Sequence, residues 1–533
     1  MNLRRGTLLA LLVAAAGALV AHSLVFDFVT DDAYISFVYA RNLAQHGQLV
    51  FNLGEKAVEG YTNFLWTLLL AALLKVGLVP EVTSRVLGTA FAVASLGVTA
   101  WLSRRLRTGS ASDPSDREWS AWDALPALIL AAIPGYACWA SGGLETQLFT
   151  FFVLLGSAGQ LAELLDDAAP RKRTAVAFGL AALTRPEGIL FFALAWLYRL
   201  LYRRQILPTR ADVIAIACFL AFVVPHFLWR HWYYGWWLPN TFYIKSSGIG
   251  GHWQQGGYYL WRVVESYHLW TVPIVAIAGF FTRSERGARL LLGYATLVVA
   301  LFAVYVASVA GDFMGLFRFI MPALPLVALV AADGLRLTLS TMRPPLAAAV
   351  VAALLAGHVW HAVVVDRAAL VVSGPSDRGI DRPGWLRWYT DDRAAIGRWF
   401  GRYARPDDYA AVGGAGAQVY FSGMRSLDCY GLSDEHIAHD VPASNSRPGH
   451  QKYAPVDYIL SKHPTIITSN NYQILDRPYV GPDSAFWMRN GYHYVTVDIP
   501  GLSSPKYSFL LRNDRSLGPL PALTPQKPED REP

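Results

Sequence analysis

Two adjacent carboxylates, Asp31 and Asp32, directly follow the first hydrophobic segment of the chain. Acidic side chains at the edge of a membrane are costly to keep there and are functional candidates by default. A positioned carboxylate can accept a proton from a reacting group or stabilise developing positive charge. We therefore take this pair as the candidate catalytic residues. The alternative is that Thr30 or an aspartate caps a helix over residues 33–45, which explains one acidic residue better than two.

The composition is that of a membrane protein. Of 533 residues, 53% are hydrophobic and 16% are charged, and the mean hydropathy is +0.29, whereas soluble domains carry about 25% charged residues. The net charge of +7 comes from short basic clusters between apolar runs, which is a topology signal and excludes a nucleic acid as partner. Three scattered cysteines, Cys138, Cys218 and Cys429, predict neither a disulfide framework nor a metal site.

Apolar runs that could cross a bilayer lie near residues 7–27, 64–79, 86–103, 123–140, 147–165, 174–184, 188–201, 212–229, 270–282, 289–309, 317–335 and 346–365. The first run is longer than the apolar core of a signal peptide, so we expect it to be retained. Arg4 and Arg5 hold the N-terminus in the cytoplasm. If the short run at 64–79 crossed the membrane, every later basic cluster would lie outside the cytoplasm, against the positive-inside rule. If this run is instead a juxtamembrane helix, all of these clusters lie in the cytoplasm. The sequence therefore predicts a polytopic α-helical membrane protein of about eleven spans.

The composition also divides the chain into domains. Residues 1–370 are expected to form the multispan module, whose first outer loop, 28–85, carries juxtamembrane helices. Residues 371–513 lack long apolar runs and are expected to form a small α/β domain outside the cytoplasm. The tail at 514–533 is rich in Pro and charge and is expected to be disordered.

Within the C-terminal domain the pattern predicts a helix over 391–401, with Ile396, Trp399 and Phe400 on one face. Short strands are predicted over 410–412, 419–421, 465–468 and 492–497. Residues 413–416 are interpreted as a turn rather than a nucleotide loop, because the Walker spacing and its Lys are missing.

Unusual polar residues gather in the loops that this topology places outside, whereas the inner loops are plain connectors. Beyond the two aspartates they are Glu59, Tyr61, Asn63, Glu145, Arg185, Glu187, Asn240, Tyr243, Lys245, Asp312 and Arg318. The break at Thr184-Arg185-Pro186-Glu187-Gly188 between two short helices places Arg185 and Glu187 in a cavity at membrane depth. Such a one-sided cluster fits an amphiphilic substrate, with its lipid in the bilayer and its polar head in the pocket.

Several of these residues also have structural interpretations. Arg185 could form an ion pair with Glu145 or Glu187, and Lys245 and Arg318 could extend to lipid head groups. Tyr61 could belong to an aromatic belt at the interface.

An acidic pair in the first outer loop, followed by juxtamembrane helices and many spans, resembles the GT-C superfamily of membrane glycosyltransferases. Within it, the chain looks like the bacterial terminal arabinofuranosyltransferases, the AftB-like group. The matching motifs are Asp31-Asp32-Ala33-Tyr34-Ile35, Leu49-Val50-Phe51-Asn52, Glu59-Gly60-Tyr61-Thr62-Asn63-Phe64-Leu65-Trp66, Gly142-Gly143-Leu144-Glu145-Thr146, Thr184-Arg185-Pro186-Glu187-Gly188 and Gly311-Asp312-Phe313-Met314. The resemblance covers roughly residues 1–365.

The resemblance implies transfer of arabinofuranose from a polyprenyl-phosphate donor to a cell-envelope glycan or glycoprotein. The reaction would occur on the outer side of the bacterial cytoplasmic membrane. Asp31 or Asp32 is then the base or charge stabiliser, and cations stabilise the departing lipid phosphate, with Arg185, Lys245 and Arg318 as candidates. Sugar hydroxyls are expected at Glu59, Tyr61, Asn63, Glu145, Glu187, Asn240, Tyr243 and Asp312. No cofactor is required, although adjacent aspartates could hold Mg²⁺.

The sequence is also compatible with other functions. On the same scaffold the enzyme could be a mannosyl- or aminoarabinosyltransferase. A transporter or flippase of lipid-linked sugars also needs a polar cavity, but it often carries internal repeats, which this sequence lacks. An assembly or anchoring protein would leave the loop motifs unexplained.

Overall fold

The computed structural model of the chain describes residues 3–109, 118–205, 207–245, 251–282, 285–374, 376–444, 450–468, 482–504 and 506–517. The helices of its membrane part are α1 (Leu3–Phe26), α2 (Asp31–His46), α3 (Phe64–Lys75), α4 (Pro80–Thr108), α5 (Leu125–Ala131), α6 (Pro134–Ser141), α7 (Thr146–Leu165), α8 (Lys172–Thr184), α9 (Glu187–Arg203), α10 (Arg210–Tyr234), α11 (Asn240–Lys245), α12 (His252–Ser266), α13 (Thr271–Thr282), α14 (Arg286–Ser308), α15 (Leu324–Leu339) and α16 (Pro344–Ala369). Short 3₁₀ segments at Ala121–Ala124 and Arg318–Ala323 lead into α5 and α15.

Long apolar helices confirm the multi-pass membrane fold. In the described part of the chain, seven helical segments are long and apolar enough to cross a bilayer: α1, α4, α7, α10, α14, α15 with its 3₁₀ lead, and α16. The pair α5 and α6, bent by 69°, makes an eighth if it counts as one span. The predicted total of eleven also needs α8, α9 and α13, which are shorter, so that number stays a prediction.

The short helix α3 replaces the apolar run at 64–79. Its 12 residues reach about 18 Å, well short of the roughly 30 Å hydrocarbon core of a bilayer. This length fits the predicted juxtamembrane role. The side of the membrane on which α3 lies stays a prediction.

Basic clusters from distant parts of the sequence meet at one end of the bundle. Arg105 pairs with Asp166 at 2.5 Å, and Arg286 pairs with Asp167 at 2.7 Å. Both aspartates follow the C-terminal end of α7, whereas Glu145 lies at its N-terminal end. The bundle therefore separates its basic loops from the loops that carry the candidate site, by about the 30 Å length of a 20-residue helix.

The C-terminal domain is a small mixed sheet with helices. Its elements are α17 (Pro383–Tyr403), β1 (Tyr409–Val412), α18 (Ala417–Ser422), β2 (Arg425–Asp428), α19 (Glu435–His439), α20 (Val456–Ser461), β3 (Ile466–Thr468), α21 (Pro482–Arg489), β4 (Tyr492–Val497) and β5 (Tyr507–Arg512). In the described residues the strand order is β2-β1-β3-β5-β4. The first three strands are parallel, and β5 runs antiparallel to β3 and β4.

The predicted helix and three of the predicted strands are present in this domain. Ile396, Trp399 and Phe400 are buried on α17, where Phe400 packs edge-on against Phe509 with ring centroids 5.0 Å apart. The strand predicted over 419–421 is wrong, because these residues lie in α18. Strands β2 and β5 were not predicted.

The domain docks on the start of the chain. A single apolar cluster joins Ile35 and Val38 of α2 to Ile396 of α17 and Val412 of β1. A hydrogen bond stabilises the same contact: Arg41 donates from Nη1 to the carbonyl oxygen of Tyr420 at 2.6 Å. The loop that carries α2 and the C-terminal domain thus share one core, and a cleft lies where they meet.

Candidate active site

The cleft between α2 and the C-terminal domain collects four carboxylates and several aromatic rings. It is lined by Thr30, Asp31, Asp32, Ile35, Phe313, Asp381, Trp385, Leu386, Tyr389, Thr390, Gly413, Gly414, Ala415, Asp428, Tyr430, Leu432 and His450. Both sequence-predicted catalytic residues are among them. The described lining residues include no Lys or Arg, so the cleft is acidic.

Asp31 is the first residue of α2 and is buried. Its Oδ1 accepts a 2.8 Å hydrogen bond from the backbone N–H of Ala417 in the C-terminal domain. Burial raises the pKa of the Asp31 carboxyl to about 6, while the Ala417 N–H and the charge of Arg393 lower it and the charge of Asp32 raises it. A carboxylate with such a pKa is largely ionised at pH 7 and is a stronger base than an ordinary aspartate.

Helix capping does not account for the acidic pair. Thr30 is the N-cap residue of α2, with φ −74° and ψ 152°, and its side chain makes no capping hydrogen bond. Both aspartates lie inside the first turn, where a negative charge also interacts favourably with the helix dipole. Asp32 is half-buried and lines the same cleft as Asp31.

A further carboxylate, Asp428, lies at the end of β2 and was not predicted as a site residue. Its oxygens accept backbone N–H bonds from Tyr430 at 3.0 Å and from Ser433 at 3.1 Å. Burial raises the pKa of Asp428 to about 6 against these bonds, which lower it. Asp428 therefore presents a second titratable oxygen pair to the cleft.

Aromatic rings form the rest of the cleft wall. Trp385 stacks on Tyr389 with centroids 5.2 Å apart and planes at 20°. His450 meets Phe313 and Tyr430 edge-on, with centroid distances of 5.0 and 4.9 Å. Flat aromatic faces beside hydrogen-bond acceptors suit a ligand that has both apolar C–H surface and hydroxyl groups.

A second cluster surrounds Arg185, between α8 and α9. Arg185 donates to Glu145 at 2.6 Å and to Glu187 at 2.9 Å, and Tyr305 donates to Glu187 at 3.3 Å. Arg185, Glu187 and Tyr305 also line a small separate pocket with Arg318. Arg185 thus forms ion pairs with both Glu145 and Glu187, and these two carboxylates compensate the charge of its guanidinium.

Arg318 differs from Arg185 in how much of its guanidinium is engaged. Its Nε donates to Asp312 at 2.9 Å, and the guanidinium lies 5.8 Å from the ring centroid of Trp139. Among the described residues no hydrogen-bond partner is found for its two terminal nitrogens. Arg318 therefore keeps donors that could bind an anion in the pocket it shares with Arg185.

The two clusters are neighbours. The backbone N–H of Thr30 donates to the carbonyl oxygen of Gly142 at 3.1 Å, so the loop that carries Glu145 packs against the start of α2. Asn63 donates to Glu145 at 2.8 Å and accepts from Ser36 of α2 at 3.1 Å. The aspartates thus lie close to the loop that carries Glu145, which pairs with Arg185.

The remaining predicted residues lie elsewhere, in a buried network that joins the first loop to α10 and the C-terminal domain. Glu59 pairs with Arg230 at 2.8 Å, and the Tyr61 and Tyr234 hydroxyls are 3.1 Å apart. Asn240 donates to the carbonyl oxygens of Gly431, Leu432 and Asp434. The Tyr243 ring contacts His439, with centroids 4.2 Å apart and planes tilted by 41°.

These four residues do not line the cleft, and protein groups engage the side-chain polar atoms of Glu59, Tyr61 and Asn240. Their predicted sugar contacts therefore find no support in this placement. The side chain of Lys245, predicted to bind phosphate, lies outside the described residues. In the described residues no group of three or more His, Cys, Asp or Glu side chains is arranged to hold a metal ion.

Comparisons with known proteins address the fold. Residues 385–510 match a domain family of unknown function, DUF8728. No curated protein matches the chain. Among solved structures, ArnT from Cupriavidus metallidurans bound to undecaprenyl phosphate is similar, with a TM-score of 0.59, 15% identity, and coverage of 95% of this chain and 98% of that chain.

The apo state of the same ArnT gives a TM-score of 0.58 at 14% identity, and covers 96% of this chain and 98% of that one. The likeness therefore includes the membrane bundle and the C-terminal domain together. The chain therefore has the same fold as ArnT, that of a multi-pass membrane protein with a small C-terminal sheet domain.

Proposed function

We propose that the protein transfers a sugar from a polyprenyl-phosphate donor to an acceptor hydroxyl on the outer side of the bacterial cytoplasmic membrane. The observation that carries the proposal is the buried Asp31 carboxylate in a cleft where the membrane bundle meets the C-terminal domain. The likeness to ArnT, solved with undecaprenyl phosphate bound, supports a lipid phosphate as the leaving group.

In this proposal Asp31 is the general base. Its carboxylate takes the proton of the acceptor hydroxyl, the hydroxyl oxygen attacks the anomeric carbon, and the bond from that carbon to the phosphate oxygen breaks. The half-buried carboxylate of Asp32 stabilises the positive charge that develops on the sugar ring. Asp31 is assigned as the base because burial raises the pKa of its carboxyl to about 6.

Arg318 is the preferred ligand for the departing phosphate. Its two terminal nitrogens, which have no hydrogen-bond partner among the described residues, can form two charge-assisted hydrogen bonds with phosphate oxygens. Arg185 is a weaker candidate because Glu145 and Glu187 already share its charge. The role of Arg185 in this proposal is to hold the loop of Glu145 in place.

For the sugar, we propose arabinofuranose on the strength of the loop motifs, with a cell-envelope glycan as acceptor. Aminoarabinose is the second candidate, and one observation favours it. The cleft holds Asp31, Asp32, Asp381 and Asp428 and, among its described lining residues, no Lys or Arg. Such an environment attracts the cationic amino group of an amino sugar more strongly than a neutral pentose.

The test is a transfer assay with purified protein in lipid nanodiscs. Undecaprenyl-phosphoryl arabinofuranose and undecaprenyl-phosphoryl aminoarabinose are offered in turn, each with a glycan acceptor, and the products are identified by mass spectrometry. Transfer from one donor by the wild type, with loss in folded Asp31→Ala protein, supports the proposal. Donor translocation across proteoliposome membranes without any transfer would instead assign a flippase.

A further inference from the structure

The Asp31 carboxylate is held by the C-terminal domain rather than by the membrane bundle alone. Its Oδ1 accepts the N–H of Ala417, a residue 386 positions later in the chain. Gly416, just before it, lies so close that a Cβ there would fall 2.0 Å from the carbonyl oxygen of Asp31 and 2.7 Å from its Cγ. Only glycine allows this approach, because real Cβ contacts below 3.0 Å are essentially never seen.

A buried cation, Arg393, is also part of the C-terminal domain near this carboxylate. Arg393, on α17, is 2% exposed, and its guanidinium lies 4.8 Å from the ring centroid of Tyr389, which lines the cleft. The loop at residues 413–416, between β1 and α18, packs against both side chains. A Cβ on Gly414 would fall 2.5 Å from the Tyr389 hydroxyl and 3.6 Å from Cδ of Arg393. The positive charge of Arg393 lowers the pKa of the Asp31 carboxyl, against the larger effect of burial, which raises it.

We propose that the C-terminal domain completes the active site, with Gly416 and Arg393 as positioning residues that orient the Asp31 carboxylate and keep it ionised. The inference rests on the proposed function, in which Asp31 is the base. It assigns a role to the region matched by the domain family of unknown function. In this account the domain is not a passive cover, because without it the base would lose an N–H donor and a nearby cation.

Other titratable groups face Asp31 and set the background against which Arg393 acts. They are Asp32 and Tyr34 on α2, Tyr389 on α17, and the cleft residues Asp381, Asp428, Tyr430 and His450. Three of these are further carboxylates and His450 is the single imidazole, so Arg393 is the cation that favours the ionised form of Asp31 in this set.

The first experiment compares Arg393→Met with Arg393→Lys in the full-length protein, reconstituted in nanodiscs. We measure kcat/KM for sugar transfer from pH 4.5 to 8. Without the cation, Asp31 protonates more readily, so the acid limb of the Arg393→Met profile should move to higher pH by about one unit. Arg393→Lys keeps the charge and should restore most of the wild-type profile. A structural role alone would lower activity at every pH and leave the acid limb in place.

The second experiment, Gly416→Ala, tests the close contact of Gly416 and Ala417 with Asp31 without changing any charge. It also tests the positioning role if Arg393→Met does not fold. The added methyl pushes α18 away from Asp31, so kcat should fall at least tenfold while the KM for the lipid donor stays within twofold. Gly257→Ala is the matched control, because Gly257 on α12 has open space around its Cβ position.

The outcomes separate the two proposals. If Asp31→Asn abolishes transfer but Arg393→Met keeps the acid limb in place, or folded Gly416→Ala keeps full kcat, the proposed function stands and the positioning role is wrong. If the wild type transfers no sugar, the proposed function fails, and the positioning role fails with it.

Discussion

The Asn63 side chain donates a 2.8 Å hydrogen bond to the Glu145 carboxylate and so joins the loop before α3 to the loop before α7. Its own oxygen accepts from Ser36 at 3.1 Å and from Thr67 at 3.0 Å. One amide thus connects α2, α3 and the Arg185 cluster, and its donor and acceptor are both required.

Asn63→Asp tests this connection. The substitution replaces the N–H donor with an oxygen and sets two buried carboxylates side by side, so we expect a loss of about 3 kcal/mol or more in the free energy of unfolding. Thermal unfolding of the detergent-solubilised protein measures it. Asn490→Asp, at an exposed asparagine that donates only to the carbonyl oxygen of Phe486, should lower the unfolding temperature much less than Asn63→Asp. An unchanged temperature for Asn63→Asp would contradict the described network.

Arg185→Met tests whether Arg185 is structural. The change leaves Glu145 and Glu187 buried without their common partner, which costs about 3 to 5 kcal/mol in comparable cases. The double variant Arg185→Met with Glu187→Gln should recover part of that loss. Denaturant titration followed by circular dichroism gives both values. If Arg185→Met unfolds like the wild type and only raises the KM for the lipid donor, Arg185 binds phosphate after all.

Tyr61→Phe separates the buried network from the cleft. The variant removes a hydroxyl that lies 3.1 Å from the Tyr234 hydroxyl, and a lost buried hydrogen bond costs about 1 kcal/mol. Because Tyr61 does not line the cleft, kcat and both KM values should stay within twofold of wild type. A kcat loss of tenfold or more in Tyr61→Phe would return this residue to the site.

Asp31→Asn should stabilise the protein at neutral pH while it abolishes activity. In the folded protein the pKa of Asp31 is raised from 3.8 to about 6, so the folded state holds the proton more tightly than the unfolded state. The proton on Asp31 therefore stabilises the folded state fully below the pKa of the unfolded state, 3.8. This stabilisation is lost as the pH rises towards 6 and does not return above pH 6. The asparagine avoids that cost, which amounts to about 2 to 3 kcal/mol.

The measurement for Asp31→Asn is the difference in unfolding temperature from wild type at pH 5.0 and at pH 7.5. The advantage of the variant should grow between these two values. Asp457→Asn, at an exposed aspartate on α20, should show no such trend. A difference that is equal at both values, or that shrinks as pH rises, would contradict the raised pKa.

The membrane fold could be predicted from the sequence because long apolar runs and short basic clusters are local signals. The C-terminal helix over 391–401 and the strands near 410, 466 and 492 carry local patterns of the same kind. Residues 419–421 looked like a strand because Val, Tyr and Phe favour strands, but tertiary packing of α18 against α17 and α2 overrides that preference.

The site was predictable in part. Asp31 and Asp32 stand out because acidic residues beside a membrane are costly. Arg393, Asp428 and His450 carry no such signal, since each is an ordinary residue of an α/β domain in sequence. They reach the cleft through docking of the C-terminal domain on α2, a contact across more than 350 residues that local patterns do not encode. In sequence, the polar loop residues Glu59 and Asn240 resemble ligand-binding residues, but Glu59 pairs with the Arg230 side chain and Asn240 donates to backbone carbonyl oxygens.

The most direct test of the account is the release of polyprenyl phosphate by purified wild-type and Asp31→Asn protein. Each is supplied with a polyprenyl-phosphoryl pentose or aminopentose and a glycan acceptor at pH 7.5. We expect release of polyprenyl phosphate and a matching glycan product from the wild type, and a loss of at least a hundredfold in the folded variant. Equal release by both proteins would contradict the central claim that Asp31 is the base of a sugar transfer reaction.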